Sequence, residues 1–313
     1  MTRAARWTVG GLAGVTVLVG ILALAVELPP ELGVEPPEGF NSPQDAVLYG
    51  TLPPELSESS GVAVSRNQPG VIWTHNDSGN DQILFAIDST GRVLRRFEVD
   101  GVRLRDWEDL AIGRCPEGAQ SEVDASCLYL ADTGDNLRRR SEGRIHVVVE
   151  PIVDGEEEIV RVVRTIRVTY GQQYDVEALA VDSAGNLYLA NKGPGEPVKL
   201  MRVPAAGLAM TDQAVMVEEV AELDVVPMRF LGRLVTGAAI SADGARLVVR
   251  TYIELLFYRF GPDGMPISEG PPCFLGLLEP QGEAVDFLND QTVLVTSEAL
   301  AGRPGTIYGI TCH

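Results

Sequence analysis

Apolar residues along this chain come in short runs rather than helical stripes. Runs rich in Val, Leu, Ile and Tyr alternate with polar turns, as in "EALAVDSAGNLYLANKG" from Glu177 and "TGAAISADGARLVVRTY" from Thr236. Short apolar runs bounded by Gly, Asn and Asp predict β-strands. No long stretch carries the period of an amphipathic helix.

The pattern repeats. Units that align with one another begin at Ser60 ("SGVAVSRNQPGVIWTHNDSG"), Glu108 ("EDLAIG…CLYLADTGDN"), Glu177, Thr236 and Glu283 ("EAVDFLNDQTVLVTSEA"). Each opens on an oxygen-bearing residue, then has a small or apolar strand, a polar turn and a second strand. Each interval leaves room for two more strands. These are "QILFAIDS" and "VLRRFEVDG", "GRIHVVVEPIV" and "VVRTIRVTYG", "VKLMRVPAAG" and "AVMVEEVAEL", "ELLFYRFG" and "CFLGLL". The last unit has only "GTIYGITC"; "DAVLYGTL" at residues 45–52 can supply its missing partner. A four-stranded unit repeated about an axis is a propeller blade. The expectation is an all-β β-propeller over residues 45–313 with five four-stranded blades. An N-terminal strand pairing with the C-terminal blade closes the ring and removes open edges. Six blades, with a degenerate unit in one of the longer intervals, and a β-sandwich are the alternatives.

The units from Glu177 and Thr236 resemble the superfamily of gluconolactonase-like, NHL-type and phytase-type propellers. An acid or hydroxyl before the inner strand and a D-x-x-G-x-L-Y/V turn carry the resemblance, which covers about residues 45–313. It implies a propeller and, as an activity, metal-dependent hydrolysis of lactones, esters or phosphoesters. The familiar enzymes of that superfamily have six blades, so five would weaken the transfer of activity. Such motifs mark a fold better than a reaction.

Charge narrows the partners. A net charge of −19 argues against nucleic acid, whose phosphates need a basic surface. It suits cation binding, and equally a solvated acidic surface. Among the 25 basic residues only Lys192 and Lys199 are lysine, a bias of GC-rich bacterial genomes. The basic "LRRRSEGR" (137–144) reads as a solvated loop.

Residues 1–27 read as a signal peptide or an N-terminal membrane anchor. Arg3 and Arg6 precede the uncharged "WTVGGLAGVTVLVGILALAV", residues 7–26. That length can span a bilayer, whereas signal-peptide cores are shorter; a small-x-small site exists at Ala23-Leu24-Ala25. Both readings make the rest extracytoplasmic, anchored by residues 7–26 or secreted after cleavage. Residues 28–44 form a Pro/Glu-rich linker. Four cysteines in an exported chain favour disulfides, Cys115 with Cys127 across a polar loop and Cys273 with Cys312. No CxxC pair supports a zinc site.

The chemistry converges on one channel mouth. Five blades place Ser60, Glu108, Glu177, Thr236 and Glu283 there as a ring. The second strands end nearby, at Thr74–Asp77, Ala131–Thr133, Ala190–Lys192, Arg250–Tyr252 and Thr296–Glu298. Converging glutamates repel and must be neutralised. A hard cation such as Ca²⁺ would take Glu108, Glu177, Glu283, Asp132, Asn76 and Asn191 as oxygen ligands. Internal pairing with Lys192 and Arg250 is the alternative, and it needs no ligand. His75, Asp77, Trp107, Thr236, Tyr252 and Glu298 would line the surrounding ligand site, although Trp107 also suits packing between blades. "HNDSGN" and "ADTGDN", with Asp77, Asp132 and Asp135, fit ordinary turn chemistry or an extension of the mouth. No G-x-S-x-G elbow or P-loop occurs. An enzyme would therefore use Glu108 or Glu177 as base, with Lys192 or Arg250 stabilising negative charge. The expected function is binding of a small ligand, a cation or an envelope protein by a monomeric propeller, with a hydrolase and a paired scaffold as alternatives.

Overall fold

The computed structural model describes residues 36–103, 105–119, 125–193, 195–209, 213–225 and 232–312. Residues 1–35 lie outside it, and with them the segment read as signal or anchor and the first part of the linker. Among the described residues, helix is confined to two short 3-10 turns, Pro54–Leu56 and Ala205–Ala209. None is long and apolar enough to cross a membrane.

The rest is β-structure. β1 (Asp45–Thr51) stands apart in sequence from its sheet. β2 (Ser59–Val64), β3 (Ile72–Asn76), β4 (Ile83–Ile87) and β5 (Val93–Asp100) form an antiparallel meander. β6 (Trp107–Arg114), β7 (Ser126–Asp132), β8 (Gly143–Val149) and β9 (Ile159–Thr169) form the next. The two are joined into one sheet where β5 and β9 run parallel, from Glu98↔Ile159 to Asp100↔Arg161. β10 (Val176–Val181), β11 (Leu187–Asn191), β12 (Lys199–Val203) and β14 (Glu218–Glu222) make a third meander. β13 (Val215–Met216) leaves it to pair with β9. β15 (Val235–Ile240), β16 (Arg246–Thr251) and β17 (Glu254–Phe260) are followed by β18 (Pro266–Ser268) and β19 (Cys273–Phe274), both paired with β17. β20 (Gln281–Phe287), β21 (Thr292–Glu298) and β22 (Thr306–Thr311) complete the chain, and β1 adds to β22.

Local chemistry explains the meanders. In the Asp182–Asn186 turn the Asp182 carboxylate accepts the Ala184 and Asn186 N–H groups at 2.9 and 2.8 Å. Gly185 there takes φ +84°, a conformation that suits glycine. The first strands lie side by side in a closed cycle: β2 against β6, β6 against β10, β10 against β15, β15 against β20, and β20 against β2. Apolar clusters fill the gap between each neighbouring pair of meanders. One, with Trp73, Phe97, Leu110 and Leu130, lies between the first two. Another, with Leu52, Phe85, Leu294 and Ile307, joins the last meander to the first. Burial declines outward, from the fully buried β10 and β15 to the largely exposed β1 and β14. Two carboxylates tie the first strands together. Asp286 on β20 accepts Val64 N–H of β2 at 2.7 Å. Asp109 on β6 accepts Leu110 N–H, Leu179 N–H of β10 and Ala238 N–H of β15, at 2.8, 2.8 and 3.2 Å.

Two expected strands differ. "AVMVEEVAEL" splits into β13 and β14, which serve different sheets. "CFLGLL" yields only the two residues of β19, and β18 takes most of the outer edge instead. Pro271 and Pro272 lack the N–H that a longer strand would need there. The disulfides are Cys115–Cys127 and Cys273–Cys312, as the cysteine spacing predicts. Two disulfides mark an oxidising, extracytoplasmic setting.

Candidate functional site at the acidic mouth

The site begins with a slip in register. In every first strand the pairing with the second strand is interrupted by a bulge: between Ser59 and Gly61, Trp107 and Leu110, Val176 and Ala178, Val235 and Gly237, and Gly282 and Ala284. The residues passed over are Ser60, Glu108 with Asp109, Glu177, Thr236 and Glu283. These are the aligned opening positions of the repeats. A bulge re-aims a side chain and ends regular pairing. A small residue follows in four of the five, Gly61, Ala178, Gly237 and Ala284, because the first strands approach closely. A Cβ added at Gly61 would lie 2.6 Å from Leu110 N.

All five ring residues are buried. The two hydroxyls bond to neighbouring strands: Ser60 donates to Glu108 O at 2.6 Å and Thr236 to Gly282 O at 3.3 Å. The carboxylates stay within the mouth. Lys192 Nζ donates to Glu177 Oε1 at 2.7 Å. Gln281 Nε2 donates to both Glu283 Oε1 and Glu298 Oε2, at 2.7 and 2.6 Å.

Three further acids join this group. Asp106, Asp77 and Glu108 bring carboxylate oxygens within 4.8 Å of one another, and so do Glu108, Asp175 and Glu177. Glu108 belongs to both trios. Asp106 and Asp175 occupy equivalent places in "DWE" and "DVE", two residues before the ring glutamate. Side chains two apart on a strand share a face. That repeated Asp-x-Glu is visible in the sequence, two residues ahead of the positions at which the repeats open.

The electrostatics follow from crowding and burial. Burial raises Glu108 well above the ordinary carboxylate range, and Glu177 and Asp77 add repulsion. Burial likewise pushes Glu177 and Glu283 up to about 8, against the pull of Lys192. Glu298 is pushed up to about 10, by burial and then by Glu283. Asp77 rises to about 6 from burial, with Asp106 adding to it. Tyr252 is raised by burial and by Glu283 beside it. Burial opposes charge on Lys192, but Glu177, Tyr252 and Glu108 hold it well above the usual lysine range. The mouth thus gathers carboxyls that resist ionisation around one ammonium.

Other residues expected at the site are held by protein partners. Asp132 bonds Arg140 Nη1 at 2.9 Å and lies 3.6 Å from His146 Nε2. Asn76 donates to Glu55 O and accepts from Glu58 N–H, at 2.7 and 3.2 Å. Asn191 accepts Lys199 N–H at 2.6 Å and donates to Pro197 O at 3.1 Å, pinning a turn. Arg250 is fully buried and donates to Ala284 O at 2.7 Å, to Thr296 O and to Glu279; it bonds none of the ring glutamates. His75 is buried, edge-on to Trp107 at 4.6 Å, and burial lowers it to about 4. Trp107 packs in the apolar cluster between the first two meanders. Asp135 caps its own loop, accepting Arg140 N–H at 2.5 Å.

The trios fit a hard cation. Their donors are carboxylate oxygens, with no thiolate or imidazole among them. The backbone packs tightly against them: a Cβ at Gly134 would fall 1.8 Å from Glu108 Oε1 and 2.7 Å from Asp106 Oδ2. Any larger residue there would displace these carboxylates.

Comparison with known proteins bears on the fold. The chain superposes on the PQQ-bound aldose sugar dehydrogenase of Streptomyces coelicolor over 85% of its own length and 98% of that chain, with a TM-score of 0.51 and 12% identity. It superposes on the major allergen Mala s 1 of Malassezia sympodialis over 85% and 95%, with a TM-score of 0.52 and 11% identity. A putative gluconolactonase aligns over 81% and 73%, with a TM-score of 0.40 and 12% identity. No family model and no curated protein matches the chain. At such identities likeness speaks for architecture alone. The propeller resemblance expected from the repeats holds at the level of the fold.

Proposed function

We propose that the chain is an extracytoplasmic five-bladed propeller whose acidic mouth binds a hard divalent cation, Ca²⁺ by preference, and through it a small ligand. The cycle of five first strands, and β1 completing the sheet of β20–β22, support five blades. The two disulfides support the compartment. Residues 7–26 would hold the propeller at the membrane or be removed on export.

One observation carries the cation: two carboxylate trios sharing Glu108, their oxygens within 4.8 Å. Asp77, Asp106, Glu108, Asp175 and Glu177 would hold the ion. Bound there, it would supply positive charge that relieves the repulsion and could polarise an oxygen-bearing ligand. The test uses chelator-stripped protein. Added Ca²⁺ should raise the unfolding temperature progressively with the logarithm of its concentration, a stabilisation of about 2.7 kcal/mol at a hundredfold excess over Kd. Glu177→Gln should weaken that response. Absence of any shift, with no ion retained after dialysis, would overturn the reading.

Hydrolysis is the second reading, favoured by Glu177. Its carboxyl, pushed up to about 8, sits where a proton can be exchanged near neutral pH, with Lys192 2.7 Å away to steady negative charge. Turnover of lactones or phosphoesters that Glu177→Gln abolishes would support it.

A further inference from the structure

The side of the ring that holds the mouth also carries leucines at its loop tips. Every first strand starts at the mouth, so the links from second to third strands, and from each meander to the next, lie on that side. Three of those links present a largely exposed leucine: Leu137 (62%) after β7, Leu277 (64%) before β20 and Leu300 (48%) after β21. Each sits beside a left-handed residue. Arg138 (φ 51°) follows Leu137, Ala301 (φ 53°) follows Leu300, and Gly276 (φ 57°) precedes Leu277. Among the described residues Arg138 and Ala301 are the only non-glycine residues with positive φ. That conformation is uncommon for a residue with a Cβ, and its recurrence beside the leucines points to a use for the tips.

Charge accompanies them. Arg139 is exposed close to Leu137. Arg303, three residues after Leu300, is exposed and donates to Leu278 O at 3.3 Å, joining the last two tips. The acids on these three links are engaged: Asp135 within its own loop, Glu142 with Arg167 at 3.7 Å and Glu279 with buried Arg250. The exposed acids Glu58, Asp81 and Asp224 belong to other links of this side. The far side reads in reverse. Ile152, between β8 and β9, is 60% exposed, but exposed Asp154 and Glu156–Glu158 follow it. The linker also joins the propeller on the mouth side. Phe40 packs edge-on to Phe274 at 5.5 Å, and Arg233, just before β15, stacks on it at 5.3 Å. The uncharged stretch 7–26 ends no more than about 50 Å of extended chain before Phe40.

We propose that the leucine-tipped side rests on the surface of a phospholipid bilayer with anionic headgroups, with Leu137, Leu277 and Leu300 entering it and Arg139 and Arg303 meeting its phosphates. Apolar side chains flanked by arginine suit such an interface, because the apolar part leaves water while the guanidinium stays at the headgroups. A net charge of −19 repels the same surface elsewhere, so contact is confined to the side with basic tips. Seated this way, the mouth opens onto the lipid interface. No bound cation is needed for the contact.

The full chain, reconstituted with vesicles of phosphatidylcholine and phosphatidylglycerol, provides the test. Leu137→Trp, Leu300→Trp and Ile152→Trp each add one indole to the native three. Lipids brominated near the headgroup quench an indole that enters the bilayer. Emission beyond that of wild type should be lost at Leu137→Trp and Leu300→Trp and kept at Ile152→Trp. Adding Arg139→Glu and Arg303→Glu should abolish the loss at both tips without moving the melting temperature. Loss at none of the three positions, equal loss at all three, or loss that survives the charge reversals would overturn the proposal. Protein left behind when the vesicles float would do the same. A blue shift that brominated lipid does not quench, and that grows with protein density, would assign the tips to a second copy of the chain instead. Leu277→Trp replaces either tip variant that does not fold.

Discussion

Between Glu108 and Asp109 the backbone bulge sends neighbouring carboxylates to different work. Glu108 faces other acids at the mouth; Asp109 collects three N–H groups from β6, β10 and β15. Their variants should differ in sign. Glu108→Gln removes a carboxyl whose ionisation burial, Glu177 and Asp77 all oppose, so the cation-free protein should melt higher while its response to Ca²⁺ disappears. Asp109→Ala strands buried donors at about 1–3 kcal/mol each, so urea unfolding should show a loss of about 3 kcal/mol or more. Sequence alignment singled out the ring positions because each unit opens on oxygen. It missed Asp106 and Asp175 although both stand in Asp-x-Glu. It read Asp132, Asn76 and Asn191 as cation ligands, and each has hydrogen-bond partners within the protein. Residue type was legible; competition from nearby backbone groups was not.

The strands are the level at which sequence spoke most clearly. Their repeated apolar runs and Asp–Gly turns foretold four successive meanders and the pairing of residues 45–52 with the end of the chain. Bulges left no trace in the hydrophobic pattern, because an extra residue in a buried strand changes pairing and not composition. The outermost strands were also hard to read, since half-exposed edges such as β14 and β18 bury too little to impose a pattern. Contact between sheets gives the element-scale prediction. A Cβ at Gly282 would fall 1.9 Å from Arg250 Nη2, in the buried pair with Glu279. Gly282→Ala should therefore displace Arg250 and cost about 3–5 kcal/mol, as when a buried ion pair is broken. Chemical denaturation of wild type and variant decides it.

Across the whole molecule, the mouth links stability to pH. The Glu283 carboxyl rises from 4.5 to about 8 on folding, so the native state keeps a proton that the unfolded chain has lost. Stability from this group is full below pH 4.5 and falls as pH rises through about 8. Glu177 acts in the same direction over the same window. The cation-free protein should melt lower at pH 8 than at pH 5, and Ca²⁺ should flatten the part of that slope that Glu177, one of its proposed ligands, contributes. Melting curves across that range, with chelator and with excess Ca²⁺, test the linkage. A slope that Ca²⁺ leaves unchanged would place the ion away from these carboxyls.

β1 has no partner until β22 exists, and Gln44 N–H reaches Thr311 O at 2.8 Å only in the finished ring. During synthesis nearly the whole domain must emerge before that pairing can form. Until then Val47, Leu48 and Tyr49 belong to an unclaimed strand whose one charge is Asp45 at its start. Long-range closure of this kind is slow, and an unpaired strand invites pairing with other chains. The seam that shuts the ring is thus also a timer, with escort by the export and folding machinery needed longest at the earliest-made strand.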